Sequence, residues 1–86
     1  MDLDPNEMRQ VANRLKRAQG QLAAVVRMVD EGADCADVVT QLSAVSKALD
    51  RAGFAVIASG LKQCLDDEEN GPADMQKLEK LFLSLA

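Results

Sequence analysis

Eighty-six residues, 48% of them hydrophobic with only two aromatics, make one small aliphatic domain and exclude a disordered chain. The formal net charge of −4 argues against nucleic acid, but its distribution argues for it: five basic residues and no acid lie between Arg9 and Arg27, while acids gather at 2–7 and 66–69. No apolar run approaches the ~18 residues of a membrane span, and the N-terminus lacks a basic-then-apolar leader pattern, so a cytoplasmic protein is expected, where two cysteines are reactive or metal-binding rather than a permanent staple.

Asp4-Pro5-Asn6-Glu7 reads as a helix start, with Asp4 to cap, Pro5 at the first helical position and Glu7 to close a capping box. The first helix is expected over about 5–31. Met8, Val11, Leu15, Ala18, Leu22, Val25 and Val29 alternate gaps of three and four, a heptad seam. Gly20 inside it is a local cost of about 1 kcal/mol against alanine, or a close-packing position. Gly32 is the natural C-terminal glycine. The joint at 32–34 favours an antiparallel hairpin, with Asp34 capping the next helix.

That second helix is expected over about 34–66, with Val38, Leu42, Val45, Leu49, Ala52 and Val56 as its stripe and Gly53 and Gly60 as weak points. The acidic run at 66–69 opposes the dipole, so fraying is expected there. Asn70-Gly71 marks a turn, and Pro72 opens a third helix over about 72–85 with Met75, Leu78, Leu81, Phe82 and Leu85 as its stripe. The expectation is a single all-α domain, 1–86. Its marginal core invites oligomerisation, two hairpins closing a four-helix bundle. The third stripe then packs on that bundle or joins two dimers. A plain helical bundle already accounts for all of these stripes.

Cys35 and Cys64 stand at opposite ends of the second helix, 29 positions apart. That spacing is about 20° from a whole number of turns, so the thiols share a face, yet they lie about 43 Å apart along the axis. They cannot meet within one straight helix. A second copy, antiparallel about a two-fold near residues 49 and 50, brings Cys35 opposite Cys64 of the partner subunit. Cys35 opens its helix, where the dipole favours an anion although Asp34 and Asp37 oppose it. It is the expected attacking thiolate, with Cys64 as resolving thiol. The bland alternative is two ordinary buried small residues.

Catalytic groups are sparse. There is no histidine, tyrosine or tryptophan and no glycine-rich phosphate loop, so an enzyme is not expected. Arg14-Leu15-Lys16-Arg17-Ala18-Gln19-Gly20-Gln21, however, resembles the R-L-x-R-x-x-G-Q element of the CsoR/RcnR family of bacterial transcriptional repressors. Cys35-Ala36-Asp37-Val38-Val39-Thr40-Gln41-Leu42-Ser43-Ala44, continued by Lys47-Ala48-Leu49, resembles that family's C-x-D-V-x-x-Q-x-x-A stretch. The resemblance covers about 8–65. It implies a three-helix protomer, an antiparallel dimer forming a four-helix bundle, and a disc-shaped dimer of dimers. Such proteins bind operator double-stranded DNA and let go when an inducer reacts at the inter-protomer cysteines.

Copper-sensing members of that family place a histidine four residues before the second cysteine, where this chain has Gly60. Nickel/cobalt and formaldehyde members also rely on histidine or an N-terminal nitrogen. Both thiols without a histidine resemble the persulfide-sensing CstR branch, where reactive sulfur species form inter-protomer di-, tri- or tetrasulfides. One nucleophilic thiolate and one resolving thiol suffice for that chemistry. The expectation is therefore a repressor without metal or cofactor that senses persulfides through Cys35 and Cys64. The alternative is copper(I), or another soft metal, on the same two thiolates.

The expected DNA surface comprises Arg14, Lys16, Arg17, Gln21, Lys47 and Arg51. Arg14, Arg17 and Gln21 recur at i, i+3 and i+7, off the heptad seam; Lys47 and Arg51 stand at i and i+4. The resemblance matches Arg14 and Arg51 to basic positions the family uses on DNA. Contacts should be mainly to phosphates, with affinity falling as salt rises. Linking Cys35 to Cys64 of the partner subunit would pin both ends of the helix pair and shift those basic residues.

Overall fold

Three helices and no strand make up the computed structural model, which describes residues 1–86: α1 (Arg9–Asp30), α2 (Cys35–Asp66) and α3 (Gly71–Leu85). The fold is all-α. The first reversal is set by Gly32, whose φ of +73° is the single positive value in the chain. It lets Ala33 N–H reach Met28 O at 2.9 Å and Gly32 N–H reach Val29 O at 3.2 Å, the paired bonds of a Schellman cap. Two residues later the Asp34 carboxylate accepts the N–H groups of Ala36 and Asp37 at 3.0 and 3.4 Å and starts α2. A joint this short lays α1 antiparallel on α2.

Regular helix begins at Arg9 rather than near residue 5. The Asp4 carboxylate accepts Asn6 N–H at 2.8 Å and its carbonyl accepts Met8 N–H at 3.0 Å, closing a separate turn ahead of α1. No side chain caps α1 itself, so the expected Glu7 capping box does not form. Asp4 spends its carboxylate two residues on, as aspartates in turns commonly do.

The acidic stretch after α2 forms an ordered turn where fraying was expected. Asp67 leaves the helix in an extended conformation, and its Oδ1 accepts the N–H groups of Glu69 and Asn70, both at 3.1 Å. Gly71 then opens α3 against the Cys64 carbonyl, where no Cβ would fit. From there α3 runs back along the C-terminal half of α2. Leu78 lies over Gly60 and Leu85 over Gly53, so close that a Cβ on either glycine would stand 3.0 or 2.9 Å from a leucine Cδ1. Phe54 and Phe82 meet with ring centroids 5.2 Å apart. The two glycines that weaken α2 as an isolated helix are thus the notches that receive α3.

The helices α1 and α3 do not touch each other; each packs on α2 alone. The molecule measures 54 × 26 × 14 Å, little more than one helix thick. In so thin a layer only part of each stripe is covered. On α1 every seventh residue is buried (Val11, Ala18, Val25), while the alternate seam positions Leu15, Leu22 and Val29 stay exposed. On α2 Val45 and Ala52 are buried, and Leu42 and Leu49 are exposed. A small cluster joins Ile57 and Cys64 of α2 to Leu78 of α3, with Leu61 and Met75 packed against it. No helix is long and apolar enough to cross a membrane.

Candidate nucleic-acid interface and thiol pair

On α1, Arg14, Arg17 and Gln21 lie to one side of the buried Val11–Ala18–Val25 row, and Leu15 and Leu22 lie to the other. On α2, Lys47 and Arg51 lie to one side of Val45 and Ala52, and Leu42 and Leu49 to the other. Antiparallel pairing matches like with like. One side of the hairpin becomes apolar. The other becomes a cleft of about 480 Å³ lined by Arg14, Arg17 and Gln21 from α1 and Lys47 and Arg51 from α2. Four cations face that space and no carboxylate does. Uncompensated positive charge in a concavity attracts anions.

Five of the six residues expected on DNA therefore converge on one cleft; Lys16 does not line it. One residue from Arg17 is 100° of helix rotation, which carries Lys16 round toward the outer side of α1. The cleft floor, Ala18, Ala44 and Ala48, was not among the expected site residues. Its signal was present, as small residues at i and i+4 beside Lys47 and Arg51, since only small side chains leave a hollow there.

The two thiols have different surroundings. Cys35 opens α2 and is exposed; Cys64, in its last turns, is only 5% exposed. The helix between them is unbroken, so they remain about 43 Å apart along its axis. The asymmetry comes from α3, which covers the C-terminal half of α2 around Cys64 and does not reach Cys35 at the other end. An exposed Cys35 suits an attacking group, whereas Cys64 must be uncovered before it reacts.

Within one chain no three side chains from His, Cys, Asp and Glu come together as a metal site. A site built on these thiols therefore needs a second copy. Gly60, one turn before Cys64, supplies no donor, and Leu78 occupies the space beside it. The donor set is then two thiolates, which suits a soft monovalent ion such as Cu(I).

A family model described as metal-sensitive transcriptional repressor matches residues 7–84. The copper-sensing transcriptional repressor RicR of Mycobacterium tuberculosis is 35% identical over 77 residues, which cover 87% of this chain and 80% of RicR. The copper-sensing repressor CsoR of Bacillus subtilis is 33% identical over 76 residues, 88% of this chain and 75% of that one. CsoR of Mycobacterium ulcerans is 41% identical over 59 residues, 69% of this chain, which spans half the length of that relative. No solved structure matches the chain. The three relatives are named for copper, not for the reactive sulfur expected from paired thiols without histidine; the CstR branch finds no support among them.

Proposed function

This chain belongs to the family of metal-sensitive transcriptional repressors, a family of DNA-directed regulators rather than enzymes, and from that premise we propose that it represses transcription through its basic cleft and is released from operator DNA by Cu(I). The observation that carries the DNA half is the convergence of Arg14, Arg17, Gln21, Lys47 and Arg51 on one acid-free cleft. Lys16, outside the cleft, adds charge nearby. These cations meet operator phosphates, and the contacts weaken as salt competes.

The effector half rests on the thiols and on the relatives' copper-sensing names. Cys35 of one protomer and Cys64 of the partner subunit would together hold Cu(I), which supplies a bond between soft sulfur donors. The chain's part is to bring the thiols together. The apolar side of the hairpin, opposite the cleft, exposes Leu15, Leu22, Val29, Leu42 and Leu49. In a protein one helix thick these residues are the face for a second layer. Two copies related by the α2 two-fold close a four-helix bundle, and two such dimers form the tetramer. Tying the ends of paired α2 helices moves Lys47 and Arg51 relative to α1, so the form that fits DNA loses population.

A second reading is favoured by one feature: Gly60 gives no third donor, and Cys35 is exposed where Cys64 is sealed. In it the Cys35 thiolate takes the outer sulfur of a low-molecular-weight persulfide and expels the corresponding thiolate. The Cys64 thiolate of the partner subunit then attacks the inner sulfur, forming an inter-chain disulfide and expelling hydrosulfide. Fluorescence anisotropy of duplexes from upstream of the protein's own gene, titrated with Cu(I) and separately with a persulfide donor, decides between them. Release by one Cu(I) per protomer supports the first reading. Release by the donor alone, with inter-chain products in non-reducing mass analysis, replaces it with the second. A duplex that does not bind in low salt removes both.

A further inference from the structure

The cleft is concave, and a concave site can hold something smaller than a duplex. Its volume of about 480 Å³ falls within the roughly 300–1,000 Å³ range of small-molecule sites. Its charges are tiered. Antiparallel order sets Arg14 and Arg51 at one end of the cleft and Arg17 with Lys47 about one turn, roughly 5.4 Å, further along. Gln21 adds an amide beyond them. Two tiers of paired cations one turn apart match the two ends of a short condensed-phosphate chain, whereas a single orthophosphate spans less than that turn. Ala18, Ala44 and Ala48 let such a chain lie between the helices.

We propose that this cleft is a binding site for a soluble di- or triphosphate chain, which bridges α1 and α2 and competes with operator DNA for the same cations. The competition rests on the DNA-binding reading above; the binding itself does not. Arginine forks take the phosphoryl oxygens in pairs, and Lys47 acts as a point charge. An occupied cleft has lost its positive field, so a duplex docks less readily. Repressor occupancy then follows the supply of soluble polyphosphate anions as well as the state of the thiols.

The alanine floor separates this proposal from a merely basic surface. Ala44→Leu and Ala48→Leu keep every charge but fill the hollow. Ala44 is exposed on a helix, so leucine there leaves the fold intact. Inorganic tripolyphosphate is titrated calorimetrically into the wild type, A44L, A48L and R51A. It is also added to the wild-type complex with labelled duplex, against sodium chloride of equal ionic strength. The expected results are one tripolyphosphate per protomer, at least tenfold weaker binding in each variant, and duplex release well below the sodium chloride concentration with the same effect. Unchanged binding in both A44L and A48L, or release no better than sodium chloride, overturns the proposal. A wild type that binds tripolyphosphate but no duplex keeps the site and discards the DNA reading; a wild type that binds duplex alone does the reverse.

Discussion

Replacing Leu78 by alanine is expected to convert Cys64 from a sealed thiol into a reactive one. Leu78 is 7% exposed, lies over Gly60 and shares its cluster with Cys64 and Ile57. Truncating a buried leucine costs about 2–5 kcal/mol. Because α3 is an outer helix held only by α2, its surroundings can partly collapse, which puts the loss at about 2–3 kcal/mol. If Cys64 reacts only when α3 lifts, every 1.4 kcal/mol is tenfold in the open population, so alkylation should quicken roughly 30- to 140-fold. Native protein is pulsed with iodoacetamide, quenched and read peptide by peptide by mass spectrometry. Cys35, exposed within its own chain, supplies the reference rate for an uncovered thiol. Wild-type Cys64 alkylating as fast as Cys35 would refute a thiol sealed by α3. So would an L78A protein with a lowered melting temperature in which Cys64 stays protected.

The hairpin joint offers two tests by urea denaturation. Gly32→Ala should lose about 1 kcal/mol through backbone strain alone, since nothing lies within 4 Å of the added carbon. Asp34→Ala removes the acceptor for two N–H groups and should cost about 1 kcal/mol. In operator titrations over a range of salt, Arg51→Ala should reduce the slope of log affinity against log salt by about 0.9 for each phosphate that Arg51 neutralises, and Lys16→Ala should change it less. Cys35→Ser should bind operator like the wild type and ignore Cu(I), by the same anisotropy assay.

The three helices and the first joint were legible because local chemistry dictates them, whereas the start of α1 and the ordered turn at Asp67 were not. Gly32 and Asp34 do what their positions on the sequence require, and the basic residues off the seam of α1 meet those of α2 as the short joint demands. What sequence could not resolve depends on the third helix and on layer thickness. A heptad marks a wide apolar stripe without saying which half a single neighbour covers, so the burial of Val11, Ala18 and Val25 and the exposure of Leu15, Leu22 and Val29 became apparent only in the packed layer. Similarly, helix position separates Cys35 from Cys64 in role, but their difference in exposure comes from α3. Gly53 and Gly60 read as weak points because their value lies in packing against Leu85 and Leu78, distant along the chain. Lys16 lies off the cleft because one residue along the helix is a 100° turn from Arg17, a placement that charge density along the chain does not register.

The central claim, that the sensing site is shared between protomers, can be tested by mixing two defective variants. A dimer of one Cys35→Ser and one Cys64→Ser chain holds one site with no thiol and one with both. Cu(I) binding is measured against a chromogenic chelator for each variant alone and for the mixture after subunit exchange. The account predicts that neither variant alone binds with wild-type affinity, whereas the mixed dimer recovers a single wild-type site. Recovery of no site in the mixture, or wild-type affinity in either variant alone, would contradict it.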